Sequence, residues 1–275
     1  GGVAGYLLNP LKDTYEYDDL ARDYLNMTIP SKADLLGKRS LGDALEEGDQ
    51  KAVTCVCYMG YIAWKAMPVL LERLEAEGML KLFQDLEMPL IYSLYRMEKA
   101  GIRVDKEQLK TYGDNLKVKI AKLEQEIYNL AGETFNINSP KQLGHILFDV
   151  LGLPALKKTK SGYSTDAEVM EKLRPYHPII GEILEYRKVA KLKSTYADGL
   201  LAAADERGRV HTSFKQALTA TGRLSSAEPN LQNIPVRTEV GREIRKMFVA
   251  KEGHLLVGAD YSQIELRVLA HMAED

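Results

Sequence analysis

A regular apolar pattern between residues 105 and 132 constrains the fold more than any other feature. Asp105 and Gln108 have the spacing of a capping box, and Gly132 is placed to end a helix. Between them, apolar side chains recur at intervals of three and four: Leu109, Tyr112, Leu116, Ile120, Leu123, Ile127 and Leu130. The pattern predicts an amphipathic helix of about 26 residues, or about 39 Å. Its narrow stripe is suited to pairing with one other helix.

Residues 178–204 are the candidate partner for that helix. Pro178 opens the segment, and apolar residues follow at helical spacing: Ile179, Ile183, Tyr186, Val189, Leu192 and Tyr196. The chain between the two helices is polar, then briefly helical, then a basic loop. We therefore expect two long paired helices that form a stalk with a polar, basic tip.

Composition limits the partners that can be inferred. Hydrophobic residues make up 45% and charged residues 28% of the 275 residues, which is typical of a globular protein with a core. The net charge of −2 means that a nucleic-acid partner requires a local basic face. We find no apolar run of membrane-spanning length and no signal peptide, and we therefore predict a cytoplasmic protein without a membrane partner. Cys55 and Cys57 lack further metal-binding residues nearby, which favours buried thiols.

Other segments predict a change of structure along the chain. Residues 51–82 have the pattern of one or two apolar helices, with Pro68 opening the second. After Gly208 the pattern becomes mixed: "RVHTSFKQALTATG" and "GHLLVGADY" resemble strands, and "EVGREIRKMFVA" a short basic helix running into a strand. The second part of the chain is therefore expected to be α+β.

Asp260 is the candidate catalytic residue. We predict a strand over residues 254–259, with Asp260 at its end and a helix beginning at Ser262. A carboxylate in that position can bind magnesium together with substrate phosphate oxygens, or it can simply cap the helix. Glu265 has two interpretations as well. With Ser262 it forms the spacing of a capping box, or its side chain lies beside a bound sugar and leaves no room for a 2′-hydroxyl.

The stretch "TGRLSSAEPNLQNIPVR" at residues 221–237 is polar and interrupted by two prolines. It predicts a surface segment rich in hydrogen-bond donors. Donors of this kind suit the minor groove, where the acceptors lie at similar positions in every base pair, and Lys, Ser and Thr suit phosphate contacts. The alternative is an ordinary ordered loop.

Several longer segments together resemble the family A DNA polymerases. "DYSQIELRVLAHMAED" is similar to motif A of that family, and "TATGRLSSAEPNLQNIPVR" to its DNA-gripping palm segment. "FNINSPKQLG" at 135–144 and "KLKSTY" at 191–196 resemble the thumb, and "LEMPLIYSLYRMEKAGIRVD" at 86–105 resembles the segment that enters the palm and thumb. The similarity runs in order from about residue 81 to the end.

The resemblance implies a multidomain, mostly helical α+β fold with long antiparallel thumb helices and a partial antiparallel-sheet palm. The expected domains are the C-terminal part of a vestigial 3′–5′ exonuclease-like domain, a palm-entry helix, the thumb, and the N-terminal part of the palm, at residues 1–80, 81–104, 105–206 and 207–275.

The exonuclease-like part is expected to lack nuclease chemistry. The family's Tyr-x3-Asp motif should fall around residues 55–62, and there Tyr58 is followed four positions later by Ile62. Asp18, Asp19 and Asp23, further upstream, are then predicted to form a solvated helix face.

The resemblance also assigns site residues. Asp260 is similar to the family's catalytic, metal-binding aspartate, and Tyr261 to the residue whose carbonyl reaches the second ion. Glu265 is similar to the sugar-selecting gate, and Tyr261, Gln263 and Ile264 line the nucleotide pocket beside it. The implied DNA contacts are Asn136, Asn138, Ser139, Lys141, Lys193, Ser194, Thr195, Arg223, Asn230, Gln232, Asn233 and Arg237.

The implied function is deoxynucleotidyl transfer to a primer 3′-hydroxyl with two Mg²⁺ ions, in DNA replication and repair. Primer-template DNA and deoxynucleoside triphosphates would be the partners of a monomeric enzyme at the nucleoid. The family's second carboxylate and its fingers helix would lie after residue 275, and we therefore expect the chain alone to be inactive. The alternatives are a non-catalytic duplex-DNA-binding module, a single-subunit RNA polymerase, which Glu265 disfavours, and a helical scaffold.

Overall fold

The computed structural model describes residues 1–159, 162–235 and 239–274. The protein is mostly helical with small two-stranded sheets, as predicted. It divides into two compact units: Gly1–Gly101 with Val210–Ile234, and Ile102–Arg209 with Pro235–Asp275.

The elements follow in chain order. The α-helices are α1 Gly2–Leu8, α2 Tyr17–Leu25, α3 Lys32–Leu36, α4 Leu41–Glu46, α5 Gln50–Ala76, α6 Leu80–Leu82, α7 Met88–Ala100, α8 Lys106–Ala131, α9 Pro140–Gly144, α10 Ala167–Leu173, α11 Ile179–Leu192, α12 Gly199–Ala203, α13 Glu239–Lys246 and α14 Ile264–Ala273. The strands are β1 Ile102–Arg103, β2 Lys158–Thr159, β3 Gly162–Tyr163, β4 Arg209–Val210, β5 Ser213–Lys215 and β6 Ser225–Ala227. The π-helical turns are Phe83–Glu87, His145–Val150 and Lys193–Asp198, and a 3₁₀ turn spans Leu231–Asn233.

Helix α5 organises the first unit, since α1 to α4 all pack against it. Its buried face consists of Ala52, Cys55, Ile62, Ala66, Leu70 and Leu74. The helix runs through Pro68 without a break, so the prediction that Pro68 opens a second helix is wrong. Ala66 and Leu70, on either side of the proline, pack in one cluster with Ala4. This burial on both sides holds the backbone helical despite the missing N–H of proline.

Two further expectations about α5 need correction. The helix is long and apolar enough to cross a membrane, judged by length and composition alone, so an apolar run of that length does exist. The core helix of a soluble protein passes the same test, and α5 has a packed inner face. Of its two cysteines only Cys55 is buried, whereas Cys57 is exposed.

The prediction that Asp18, Asp19 and Asp23 form a solvated face of α2 is wrong for Asp19. Its side chain is buried, at 8% exposure, while Asp23 is exposed. Its carboxylate accepts hydrogen bonds from Thr14 Oγ1 at 2.6 Å, the Glu16 N–H at 3.2 Å and Arg22 Nη2 at 2.6 Å. Burial by itself raises the pKa of Asp19, but these donors outweigh it and hold the pKa below its usual value. Asp19 therefore has a structural role as part of the N-terminal cap of α2.

The long helix pair of the second unit confirms the sequence prediction. Helix α8 spans 26 residues, Asp105 Oδ1 accepts the Gln108 N–H at 3.0 Å, and Gly132 ends the helix in the left-handed conformation. From Ile179 the partner runs through α11, a π-helical turn and α12 to Ala203.

Contacts between the two helices run in opposite order along the chain. Gly113, near the start of α8, lies against Ala197, whereas Glu124, further along α8, accepts a hydrogen bond at 3.3 Å from the hydroxyl of Tyr186, which precedes Ala197. The helices are therefore antiparallel. The shared core is made of large apolar side chains, each worth about 1.5–3 kcal/mol when fully buried: Leu109, Leu116, Leu123, Ile127, Ile179, Ile180, Ile183, Val189 and Leu192.

The predicted strand over residues 254–259 is not formed. Residues 251–269 are exposed throughout, and Leu255 and Val257 are each 88% exposed. Strand pairing in this region ends earlier, where the Val249 N–H donates to the Arg103 carbonyl at 3.0 Å. A strand needs neighbours that satisfy its N–H and C=O groups, and the described residues provide none for 254–259. Apolar composition alone is therefore insufficient to form a strand.

Candidate nucleic-acid interface

The polar stretch after residue 220 folds into a hairpin-like surface segment of the first unit. Strand β6 pairs antiparallel with β5, and the 3₁₀ turn follows after Pro229. Arg223, Asn230 and Asn233 are exposed, as a DNA-contacting role requires. Arg237 lies outside the described residues.

Gln232 differs from its neighbours because both ends of its carboxamide bond within the segment. Its Oε1 accepts the Ser226 N–H at 3.1 Å, and its Nε2 donates to the Leu224 carbonyl at 3.1 Å. Asn230 Oδ1 in turn accepts the Gln232 N–H at 3.0 Å and caps the 3₁₀ turn. The stretch is therefore held together by its own side chains.

Two buried hydroxyls beneath this segment were missed by sequence reasoning. Thr212 is 7% and Ser226 2% exposed, and their oxygens lie 2.6 Å apart. Thr212 Oγ1 also lies 2.9 Å from the Pro229 carbonyl, and Ser226 Oγ accepts the Leu231 N–H at 3.0 Å. A Thr that precedes one short strand and a Ser within another carry no pattern that marks them as a buried pair. Only the tertiary structure brings them together.

The predicted thumb-tip residues cluster at the start of α9 in the second unit. Asn138 donates from its N–H to Asn136 Oδ1 and from Nδ2 to the Tyr186 hydroxyl, each at 3.0 Å. Ser139 caps α9, and Lys141 is exposed on its first turn. The two asparagines therefore fix the loop, and Lys141 remains at its surface.

A cavity of about 900 Å³ adjoins this cluster. Its lining includes Ser139, Lys141, His145 and Tyr163. Arg187, on α11, reaches the same cavity and donates to the carbonyl and hydroxyl of Thr165. Burial lowers the pKa of the Arg187 guanidinium, which still remains a cation at physiological pH. Sequence reasoning missed Arg187, which follows Tyr186 of the apolar stripe and belongs to no motif.

The predicted contacts of "KLKSTY" lie on the π-helical turn Lys193–Asp198. Ser194 and Thr195 are exposed, and Lys193 forms an ion pair with Asp198 at 2.6 Å. Tyr196 and Ala197 are buried. The turn therefore points its polar residues outward while it packs onto α8.

The predicted catalytic segment is fully accessible. Asp260 is exposed in non-regular chain, and Tyr261 is 81% exposed. Helix α14 begins at Ile264 rather than at Ser262, and Gln263 precedes it in the left-handed conformation. Ser262 is therefore not the N-cap residue: Gln263 takes that position, without a side-chain cap hydrogen bond. Within the described ranges, no three His, Cys, Asp or Glu side chains come together as a metal site, so Asp260 is not joined by two further ligands.

The predicted site residues are divided between the two units. Arg223, Asn230, Gln232 and Asn233 belong to the first, and the thumb-like residues and Asp260 to Glu265 belong to the second. Within the second unit, Ser139 and Lys141 line one cavity and Asn136 and Asn138 lie in the loop just before them, whereas Asp260 stands in the exposed C-terminal segment.

Residues 106–275 match the sequence model of DNA polymerase family A. The chain belongs to DNA polymerase family A. The matched range contains every predicted site residue, from Asn136 to Glu265. The residues before 106, which include α1 to α7, lie outside the matched range.

Proteins similar to this family A chain come from several bacteria. DNA polymerase I of Caldicellulosiruptor bescii is 47% identical over 274 residues, which cover 99% of this chain and 30% of the relative. DNA polymerase I of Bacillus subtilis is 46% identical over 282 residues, covering 99% and 31%. The chain thus spans about a third of the length of these relatives.

A solved structure is similar over almost the whole chain. It is the POL domain of Pol1 from M. smegmatis in complex with DNA primer-template and dNTP, with a TM-score of 0.79 and 38% identity. The similarity covers 99% of this family A chain and 45% of the other.

Proposed function

We propose that this chain is part of a DNA-directed DNA polymerase that adds deoxynucleotides to a primer 3′-hydroxyl. The observation that carries the proposal is the family A match over residues 106–275, which includes Asp260 and Glu265. The similar M. smegmatis domain, in complex with primer-template and dNTP, supports these two molecules as partners. The domain assignment stated from the sequence is part of this proposal, with residues 105–206 as the thumb.

A divalent metal requirement follows from family membership, and we propose Mg²⁺ as the ion. Asp260 offers a carboxylate and Tyr261 a backbone carbonyl, both on an accessible segment. Oxygen ligands suit magnesium, and one carboxylate with substrate phosphates is a common arrangement, so these residues fit as part of an ion's ligand set. When bound, the ions would activate the primer hydroxyl and stabilise the leaving phosphate. Glu265, on the first turn of α14, is proposed to exclude a 2′-hydroxyl.

A second function is favoured for the 275-residue chain by itself: DNA binding without chemistry. Asp260 is not joined by two further metal ligands among the described residues, whereas the thumb tip presents Lys141 and Arg187 around a cavity. Both functions predict duplex binding, and only the polymerase predicts primer extension when the remaining portion that its relatives possess is supplied. We further propose a monomeric, cytoplasmic protein that acts at the nucleoid.

Binding of a labelled primer-template duplex to the 275-residue chain tests the shared part of both functions. We expect the logarithm of affinity to fall linearly with that of salt between about 50 and 200 mM, by about 0.9 per phosphate contact. Lys141→Ala should reduce this slope by about one unit. Lys51→Ala, on α5 and without a predicted DNA role, is the matched control.

Salt-independent binding, or no binding at low salt, would contradict both functions. Equal salt-dependence slopes for wild type and Lys141→Ala would show that Lys141 does not contact a phosphate. They would not contradict DNA as the partner.

A further inference from the structure

The surface stretch at residues 223–233 is built from two strips that side-chain hydrogen bonds join. The first strip carries Arg223 and continues into β6, and the second is the 3₁₀ turn with Asn230 and Asn233. Gln232, in the second strip, bonds to Leu224 and Ser226 in the first strip. Leu224 directly follows Arg223, and Ser226 lies two residues further on. The distance between the two strips therefore depends on this carboxamide.

The buried hydroxyls of Thr212 and Ser226 stabilise the same arrangement from the protein interior. Thr212 Oγ1 lies within 3.1 Å of Ser226 Oγ and of the Ala227 and Pro229 carbonyls. Ser226 Oγ holds the Leu231 N–H at 3.0 Å. These bonds fix the backbone on both sides of Asn230. Because Thr212 is 7% exposed, its hydroxyl cannot itself reach a nucleic acid.

We propose that Gln232, Thr212 and Ser226 are positioning residues that set the spacing between Arg223 and the two asparagines, and that the main role of Gln232 is this bridge rather than contact with DNA. The inference deepens the proposed function and rests on it. Hydrogen-bond donors that read the shape of base pairs must be held at fixed separation, and a side chain that already bonds at both ends is pre-organised to supply it. The exposed donors of Arg223, Asn230 and Asn233 are then the groups offered to DNA.

The DNA arm of the test compares variants of the whole chain by their affinity for a primer-template duplex. Thr212→Val removes the buried hydroxyl, and Gln232→Ala removes the bridge. We expect each to weaken binding about fivefold, and the double variant to be no weaker than either single one. Thr212→Ser keeps the hydroxyl and should restore affinity to within about twofold. Gln125→Ala, an exposed glutamine on α8, is the matched control and should bind normally.

A direct DNA contact by Gln232 makes the opposite prediction. In that case Gln232→Ala weakens binding while Thr212→Val does not, or the two losses add, and either result overturns the inference. Circular dichroism establishes that each variant is folded. If Thr212→Val is unfolded, Ser226→Ala takes its place in the cycle.

The second arm needs no DNA and separates this inference from the proposed function. Hydrogen exchange of the DNA-free chain reports the Ser226 and Leu231 amides. Gln232→Ala should speed exchange at Ser226 about tenfold, and Gln125→Ala should leave it unchanged. Unchanged Ser226 exchange in Gln232→Ala overturns the bridge. If the wild-type chain fails to bind duplex DNA while the exchange result holds, the proposed function fails and the bridge stands as an intrinsic property of the segment.

Discussion

The paired helices α8 and α11 and the segment 251–274 belong to the same unit but are opposites in packing. The helix pair buries a continuous apolar seam, and Ile179, Ile180 and Ile183 are fully buried. The C-terminal segment is equally apolar in places, yet Leu255, Val257 and Met272 are largely exposed, and α14 has no buried residue. An apolar pattern therefore forms a packed element only where a second apolar surface is available to bury it.

The two regions also differ in what they offer to chemistry. The helix pair holds polar residues in fixed positions beside the loop that precedes α9, with Asn138 bonded to Tyr186. The C-terminal segment presents Asp260 and Tyr261 on an open chain. Mutations should therefore affect stability in one region and activity in the other.

Asp260→Ala should give the largest effect and separate the regions by function. In a protein completed to the length of its relatives, loss of the carboxylate should reduce primer extension by at least about 10³-fold, because the metal ligand is lost. Duplex affinity and thermal stability should be unchanged, since the side chain is exposed. Primer extension and fluorescence anisotropy measure the two. Surviving extension would refute the metal-binding role, and Glu252→Ala, another exposed carboxylate of the segment, controls for charge.

Ile183→Ala should give the largest loss of stability. The side chain is fully buried in the seam, so its removal should cost about 2–5 kcal/mol of unfolding free energy. Leu255→Ala, 88% exposed, should change stability by less than about 0.5 kcal/mol. Urea unfolding followed by circular dichroism compares the two. Similar losses would show that the C-terminal segment is packed in solution and would remove the contrast.

Glu182→Gln should have a smaller, pH-dependent effect within the helix pair. Burial, together with the nearby carboxylate of Glu126, raises the pKa of Glu182. A raised carboxyl pKa gives stability that is fully present below the ordinary pKa and is lost as pH rises through the raised value. The amide removes this loss, so Glu182→Gln should stabilise the protein more at about pH 7 than at about pH 4.

Glu168→Gln is the matched control, with the opposite sign. Its partner Lys172 holds the pKa of Glu168 below its usual value, so the ion pair contributes at neutral pH and is lost as pH falls. This variant should be slightly destabilising at about pH 7 and neutral in acid. Thermal unfolding across pH measures both, and the same sign for the two variants would contradict the assigned causes.

Sequence reasoning succeeded where structure is local. Asp105, Gly132 and the apolar intervals between them define α8 without reference to the rest of the chain. It failed where distant residues decide the outcome. Packing on Ala4, in α1, carries α5 through Pro68. The burial of Asp19 was missed for another reason: its partners Thr14 and Arg22 are close in sequence, but no periodicity marks them.

The same limit applies to the candidate site. Residue types and order were enough to predict Asp260, Arg223 and the thumb-tip residues as members of a family A site, and their roles remain predictions. The buried pair of Thr212 and Ser226 and the bridging geometry of Gln232 depend on contacts between short strands, which no periodicity records. The strand over 254–259 has the right composition but no neighbour in the described structure.

The close approach of α8 to the turn that carries Ser194 and Thr195 restricts the size of the side chains between them. A methyl group added at Gly113 would lie 3.3 Å from the Cβ of Ala197, a tighter separation than most side chains tolerate. Larger residues at either position would widen the gap and displace the exposed Ser194 and Thr195, three and two residues before Ala197. If these hydroxyls contact a phosphate as proposed, two small side chains that never meet the ligand set how far they reach.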